Sequence, residues 1–424
     1  MLIDIYNRQS FALLVPRLYP FLRHTITSVR SAVLRALLTF LNIQGEGTKG
    51  WIDGKTLRLI FQNLLVEKVE AVLNLSLQVF LALVEELSRD NLHRFAMEFS
   101  SHVDALLSLL TTPIGVSRHP IAMDPCLFIR PSGQTYQPPS IARHGSPGGT
   151  IEVPAKRRRK SEKREEPTVT THNVDGHMMA GDIDLVGLDV LIKTKIAGAT
   201  AMGRVISLWP EGETVSFWSQ RLVPHLSSPF STTQMVTAMI MEEYCKVTSL
   251  ATPLKGAFLE SLMDLLTTER PPIYRDLHSY MQIIWAQCQS LLNAFRDVAK
   301  VSTTKLPRIA AVVQGDPNAG PDAFGLAHAE KIVNEEFTRL KRLLQPTQKL
   351  MSSQVLADAR ASALIAIEEA QAAKKQRDIR VLAAAAGACI ATNDLPKKLN
   401  PLIHGVMESV KVYLSIQTFV VMRH

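Results

Sequence analysis

The chain has 424 residues, more than one compact hydrophobic core usually holds, so we expect either several domains or an elongated repeat array. Hydrophobic residues make up 46% of the chain and aromatic residues only 6%, a balance dominated by Leu and Ala that favours packed helices over sheets. The net charge is +8, but seven cations and one carboxylate lie between residues 156 and 164, so the rest of the chain is nearly neutral and gives no sign of a DNA-binding face.

Targeting and redox signals point to a soluble protein of a reducing compartment. No uninterrupted apolar run reaches the roughly 18 residues that cross a bilayer, and the first residues lack the pattern of a secretory signal, so we expect no membrane contact. The four cysteines contain no C-x-x-C pair, which predicts neither a disulfide framework nor a zinc site. They are Cys126, Cys245, Cys288 and Cys389.

Residues 1–115 predict HEAT repeats, in which two antiparallel helices form each unit. Apolar residues recur three and four apart, and Thr27 or Ser28 is a plausible N-cap for the second helix. The predicted helices of this block are 14–24, 27–41, 56–66, 69–87 and 92–110. The buried stripe of the second helix is Val29, Val33, Leu34, Leu37, Leu38 and Leu41. Pro113 ends the block.

Residues 116–175 predict a disordered insertion, because they are basic and rich in Pro and Gly and lose the apolar periodicity. Its prolines include Pro120, Pro125, Pro131, Pro138, Pro139, Pro147, Pro154 and Pro167.

Residues 176–411 predict further HEAT-like helix pairs, which form a central domain. The predicted pairs are 215–226 with 232–246 and 254–266 with 274–295, followed by a long tract through residue 373, a pair member at 378–391 and a last helix from 395 to about 411. Residues 412–424 are an atypical tail that lacks the second helix of a repeat.

Helix pairs spaced roughly 35 to 45 residues apart predict an all-α fold, a HEAT-type α-solenoid in which each pair buries its apolar face by stacking on the next. Such stacks provide extended protein-binding surfaces. The other interpretation is an irregular all-α domain with coincidental spacing.

Several stretches of the sequence resemble known proteins. Pro16 and the Thr27–Arg30 helix start resemble a HEAT motif. More specific phrases are 18–30 (LYPFLRHTITSVR), 57–67 (LRLIFQNLLVE), 177–184 (HMMAGDID) and 395–403 (LPKKLNPLI). These phrases resemble one family, the TATA-binding-protein-associated factor of B-TFIID, also called modifier of transcription one. The resemblance spans most of residues 10–411 and matches the middle of the family's repeat array, including its central domain.

The resemblance implies a partner and an activity for the full-length protein. Members of that family grip the TATA-binding protein with a HEAT array and strip it from DNA with a C-terminal helicase-like ATPase, which alone holds ATP and Mg. This chain stops before that module and starts inside the array, so we expect a fragment with no enzymatic activity, which meets DNA only indirectly. A rival hypothesis is an unrelated adaptor or transport solenoid, importin-like or a phosphatase scaffold.

No catalytic, cofactor or metal site is predicted. The segment Gly50-Trp-Ile-Asp-Gly54-Lys55-Thr56 ends like a phosphate-binding loop, but it has three residues between its glycines where that motif needs four, and no strand precedes it. We interpret it as a turn and a helix start. His172 and His177 lie five apart at a loop edge, a pattern more typical of a linker than of a metal site.

The basic run predicts nuclear localisation through an import receptor, because clustered cations in an extended segment are accessible to such a receptor. Its residues are Lys156, Arg157, Arg158, Arg159, Lys160, Lys163 and Arg164. A nonspecific phosphate contact to DNA and an inert solvated tract are the other interpretations.

Candidate partner contacts fall on two turns, since intra-repeat turns form much of a solenoid's accessible surface. They are Arg23, His24 and Thr25 in one turn and Ser227, Ser228 and Phe230 in the other. We expect Arg30 and Arg380 to bond neighbouring repeats. Core packing is expected for the four tryptophans, which are Trp51, Trp209, Trp218 and Trp285.

Overall fold

The computed structural model describes residues 12–43, 48–116, 178, 181, 183–248, 251–271, 273–299, 325–344, 346–394 and 397–421. All regular secondary structure in these ranges is helical, with no strand, which confirms the predicted all-α fold. Two compact units follow each other, Met1–Glu211 and Gly212–His424.

The first unit is built from helix pairs. Its elements are a 3-10 helix Val15–Arg23, α1 Thr27–Asn42, α2 Gly54–Val66, α3 Glu70–Asp90, α4 Leu92–Thr111, a one-turn helix Ile183–Val186 and α5 Leu188–Ser207. The 3-10 helix packs on α1, α2 packs on α3, and α4 packs on α5. Each first helix carries a local start signal: Pro16 in the first turn of the 3-10 helix, the Asp53 side chain accepting from Thr56 N–H, and the Asn91 side chain accepting from Arg94 N–H.

The pairs stack in register. The second helices α1, α3 and α5 contact one another in sequence, and α2 contacts α4. This is the stacking of HEAT repeats, in which neighbouring pairs share one apolar core. Its fully buried aromatic residues include Phe61, Phe80, Phe95 and Phe99.

The third pair spans the inserted residues. The sequence analysis assigned α4 to the block before the insertion and the following helices to a central domain, whereas the structure packs α5, after the insertion, on α2, α3 and α4. Helix α4 is amphipathic and has no second helix of its own pair before the insertion, so it pairs with α5, which follows the insertion. The predicted disorder of residues 116–175 lies outside the described residues, apart from Val116.

Helix α3 is the one described helix that is long and apolar enough to cross a membrane, over Glu70–Arg89. It lies between α1, α2 and α5 and buries Val79, Phe80, Leu83 and Val84 completely. These contacts are those of the central helix in a stack, and composition alone does not separate such a helix from a membrane span.

Close packing of α5 predicts a large effect of one added methyl group. A Cβ at Gly198 would lie 2.6 Å from Leu110 Cδ1 and 3.1 Å from Leu65 Cδ2. We expect Gly198→Ala to lower the free energy of unfolding by about 1–3 kcal/mol, although Ala favours helix formation over Gly. Urea unfolding measures this. Gly256→Ala, in the helix Pro253–Thr267 of the second unit, is the control, because its Cβ would meet nothing within 4 Å. A loss of equal size there would contradict the packing argument.

The second unit is organised around one long helix. Its elements are α6 Glu211–Leu226, α7 Ser231–Val247, α8 Pro253–Thr267, a 3-10 turn Arg275–Leu277, α9 His278–Ala299, α10 Leu326–Lys331, a π segment Ile332–Glu336, α11 Phe337–Leu343, α12 Pro346–Ala391, a 3-10 turn Lys397–Leu399 and α13 Asn400–Val421. Helix α12 has 46 residues and packs on α7, α8, α9 and α13.

Two predicted helix ends in this unit are wrong. The expected break between residues 373 and 378 is absent, because the stretch after Pro346 contains neither Gly nor Pro before Gly387 and is rich in Ala, the strongest helix former. Helix α13 continues to Val421, ten residues past the predicted end near Lys411. The predicted tail therefore begins inside a helix.

Candidate protein-binding surface

The first predicted contact turn lies beside a buried ion pair. Arg30 donates from Nε and Nη2 to the two carboxylate oxygens of Glu67, each at 2.9 Å, and the Glu67 side chain is 1% exposed. Arg30 Nη1 also donates to the carbonyl of His24 at 2.8 Å. Arg30 lies in the first turn of α1, and Glu67 directly follows α2. The pair therefore joins the first repeat to the second, as predicted for Arg30.

Arg23 belongs to the same network. Its Nη1 donates to Asn63 Oδ1 at 3.0 Å and its Nη2 to the Val66 carbonyl at 3.1 Å, at the end of α2. The Glu67 carboxylate lies 3.6 Å from Nη1. The Arg23 side chain is 9% exposed, so it joins two repeats and leaves little surface for a partner.

His24 and Thr25 are the members of this turn that face outward. His24 is half-buried, stacks on Phe21 with ring centroids 6.3 Å apart, and accepts a hydrogen bond from Ile26 N–H on Nδ1. Thr25 and Ile26 are exposed, Ile26 to 56%. A partner at this edge would meet the imidazole, a hydroxyl and one apolar side chain, held in place by the arginines beneath.

The Gly-Lys-Thr segment is a helix start that is occupied by protein contacts. Thr56 Oγ1 lies 2.7 Å from the Tyr19 hydroxyl and donates to the Trp51 carbonyl at 2.9 Å. Burial raises the pKa of Tyr19 well above its ordinary value. The α-carbon of Gly54 faces α4, where a Cβ would lie 2.6 Å from the Glu98 carbonyl oxygen. This close backbone approach explains the glycine, and the threonine hydroxyl is already used.

The second predicted contact turn, Ser227–Phe230, precedes α7. The Pro229 carbonyl accepts from Arg275 N–H at 3.1 Å, and the Ser228 carbonyl accepts from Gln234 Nε2 at 2.8 Å. Ser227 is exposed, while Ser228 and Phe230 are half-buried. The turn is thus pinned from two sides and presents Ser227 and part of the Phe230 ring.

Sequence reasoning did not detect the polar cluster next to this turn. Asp276, 3% exposed, accepts on Oδ2 from Ser231 Oγ at 2.5 Å and lies 3.9 Å from Arg377 Nε through Oδ1. Tyr274 donates to Asp378 at 2.6 Å, and Lys374 donates to the other oxygen of that carboxylate at 2.8 Å. Burial, with the Asp378 hydrogen bond and charge, raises the pKa of Tyr274. Apart from Lys374 and Asp378, which are four residues apart on α12, these partners are 45 to 104 residues apart, so no local motif signals them.

The described cysteines and tryptophans are packing residues. Burial raises the pKa of Cys245 and Cys288 to about 11 and that of Cys389 to about 12, which leaves the thiols protonated at neutral pH and poor nucleophiles. Trp51, Trp209 and Trp218 are buried, and Trp285 packs against the core between α9 and α12, which confirms the core prediction. Arg380 is half-buried on α12.

Two predicted features cannot be placed. The basic run and the histidines at 172 and 177 lie outside the described residues. Within the described ranges no three His, Cys, Asp or Glu side chains come together as a metal ion would require.

Comparisons with known proteins identify relatives of this chain. The family described as "Domain of unknown function (DUF3535)" matches residues 79–412. The TATA-binding protein-associated factor mot1 of Aspergillus fumigatus is 49% identical over 404 residues, which are 95% of this chain and 21% of the relative. MOT1 of Saccharomyces cerevisiae is 37% identical and TATA-binding protein-associated factor 172 of Homo sapiens 22% identical, each over 95% of this chain.

The chain spans about a fifth of the length of these curated relatives. The family match begins within α3 and ends within α13, so it covers the last part of the first unit, the inserted residues and most of the second unit. Together with the 49% identity, this match confirms the resemblance noted from the sequence phrases, and the chain belongs to the Mot1 family of TATA-binding protein-associated factors, in the part that carries the DUF3535 domain.

Proposed function

We propose that this chain is a scaffold segment of a regulator that binds the TATA-binding protein and, in full-length relatives, removes it from DNA with ATP. The observation that carries the proposal is the 49% identity, over 95% of the chain, to a protein named for its association with the TATA-binding protein. Stacked helix pairs support it, because solenoids bind proteins through surfaces spread over several repeats. ATP hydrolysis, and with it Mg binding, belongs to a helicase-like module outside this segment.

The contribution of this segment is architectural. Arg23, Arg30 and Glu67 fix the first repeat to the second, and Asp276 fixes the start of α7 to α12. Within each unit, these contacts hold the outward turn in one position, which lowers the ordering cost when a partner binds it. DNA would be reached indirectly, through the bound TATA-binding protein or the ATPase module.

A binding experiment tests the proposal. We expect immobilised TATA-binding protein to retain the purified full chain, and His24→Ala/Phe230→Ala to weaken retention, because both variants shorten outward turn residues without touching the buried network. The control is Ser100→Ala/Ser409→Ala. These two helical residues lie away from the turns, and each hydroxyl donates to a carbonyl of its own helix. Capture of a basic or Phe-Gly-rich transport cargo with no retention on the TATA-binding protein would favour the importin-like interpretation. ATP turnover by the chain would contradict the scaffold assignment.

The basic run supports a proposal about where the protein is located in the cell. We infer that Lys156, Arg157, Arg158, Arg159, Lys160, Lys163 and Arg164 bind an import receptor and take the protein to the nucleus, since all seven cations lie within nine residues. Replacing the seven with Gln should move a fluorescent fusion of the chain from the nucleus to the cytoplasm. Replacing seven scattered cations of the folded units instead controls for net charge. Nuclear accumulation of the Gln variant equal to that of the unmodified chain would contradict the assignment.

A further inference from the structure

The two chain segments that flank residues 117–177 meet directly in the first unit. Gly115 N–H, just after α4, donates to the Gly181 carbonyl, just before α5, at 3.2 Å. Gly181 N–H in turn donates to the carbonyl of Met178, whose side chain is fully buried. The base of the insertion is therefore joined by non-covalent contacts.

Both glycines are required by the backbone at this junction. Gly115 has φ +85° and Gly181 has φ +68°, in the left-handed region that favours glycine. A Cβ at Gly181 would lie 3.1 Å from Gly115 N and 3.2 Å from the Val116 carbonyl oxygen. The two segments approach so closely that a side chain at Gly181 would push them apart.

A buried lysine fastens the same junction from α5. Lys195 Nζ donates to the carbonyls of Leu110 at 2.8 Å and Thr112 at 2.6 Å, at the end of α4, and the residue is 2% exposed. The last carbonyls of a helix lack partners within the helix and carry partial negative charge, so an ammonium group satisfies them well. Lys195 thus caps α4 from a helix that begins more than 70 residues later.

We propose that Gly115, Gly181 and Lys195 form a self-supporting clamp that keeps the third helix pair closed whatever happens to the inserted residues. A partner that holds the basic run, or a protease that cuts near it, then acts on the insertion without opening the stack. The inserted segment is in this way mechanically separated from the repeats that it interrupts. The clamp does not depend on binding of the TATA-binding protein.

Cutting the insertion tests the clamp. A site-specific protease sequence replaces residues 142–148 of the full chain, and hydrogen exchange is measured before and after cleavage on peptides that contain Gly115 and the last turn of α4. We expect protection in the cut chain to stay within about twofold of the uncut chain, because the clamp contacts survive the cut. A loss of roughly tenfold or more would show that only chain continuity holds the junction and would overturn the proposal.

Matched variants show which contacts protect the junction from hydrogen exchange. In the cut chain we expect Lys195→Met to reduce protection of the α4 end by roughly tenfold or more. Lys193→Met is the control on the same helix, since its ammonium group pairs at the surface with Glu70. Gly181→Ala tests the junction without removing a charge, in case Lys195→Met does not fold. Full protection in both clamp variants, or equal losses in Lys193→Met and Lys195→Met, would refute the clamp.

Discussion

Replacing Glu67 with Ala should lower the free energy of unfolding of the first unit by about 3–5 kcal/mol, the cost expected when one member of a buried ion pair is removed. The Glu67 carboxylate is 1% exposed and lies between two arginines, Arg30 at 2.9 Å and Arg23 at 3.6 Å. Its removal leaves both guanidinium groups buried without a counterion, and Val69 N–H loses the acceptor that it has at 2.9 Å. The change therefore removes far more than one hydrogen bond.

Urea unfolding of the full chain, followed by circular dichroism, measures this loss. Lys193→Ala is the matched control, because its pair with Glu70 also joins two helices of the first unit but lies in solvent, with the side chains 47% and 61% exposed. We expect no measurable change there, since exposed ion pairs contribute little. Glu67→Gln should fall between the two, because it keeps the shape and loses the charge. Equal stability of Glu67→Ala and the Lys193→Ala control would contradict the structural role of the pair.

The sequence predicted those elements whose cause is local. Four of the six residues in the predicted stripe of α1 are buried, and the other two, Val29 and Leu38, are half-buried. The helical spacing of apolar residues predicts the buried face because both follow from the same helix geometry. The four buried residues are Val33, Leu34, Leu37 and Leu41. The inter-repeat role of Arg30 also followed from residues at a helix start. The N-cap predicted at Thr27 or Ser28 is wrong, because Ile26 takes that position and no side chain caps α1. Family-specific phrases then added the identity of the relatives, which no periodicity could supply.

Features set by distant residues could not be predicted in this way. The pairing of α4 with α5 depends on contacts such as that of Lys195 with the Leu110 carbonyl, 85 residues away in the chain. Sequence reasoning also missed that α12 is one unbroken helix. The helix packs on α9 along one part and on α7 along another, so the side that carries its apolar residues changes, as it would if a new helix began. The roles of Tyr274 and Asp378 became visible only when the fold brought them together.

These polar networks fix the positions of neighbouring elements within each unit. In the first unit the polar contacts join consecutive repeats at their turns, whereas in the second unit they join a loop to the middle of α12. Apolar contacts tolerate small shifts, but a buried carboxylate with several donors holds its partners in one geometry. Under the proposed function, the polar anchors hold the outward turn of each unit in the geometry that a partner would meet.

Asp276→Ala should destabilise the second unit by about 2–4 kcal/mol, through a lost helix cap and several unsatisfied donors. The Asp276 carboxylate stands in for the N-cap that Phe230 lacks: it accepts from Ser231 Oγ at 2.5 Å, from Thr232 Oγ1 at 3.3 Å and from Thr232 N–H at 3.4 Å. Arg377 Nε on α12 lies 3.9 Å from the other oxygen. One side chain thus fixes the start of α7 and its position against α12.

Hydrogen exchange of the first turn of α7, together with urea unfolding, measures the effect. Asp276→Asn keeps one acceptor for Ser231 and Thr232 but loses the attraction to Arg377, so we expect it to retain part of the cap and show a smaller loss. Asp264→Ala is the control, because that exposed carboxylate accepts from Thr268, the residue that follows its own helix, at 3.4 Å. Unchanged exchange in the first turn of α7 of Asp276→Ala would show that this carboxylate does not cap the helix. An unchanged free energy of unfolding would show that its contact with α12 does not stabilise the unit.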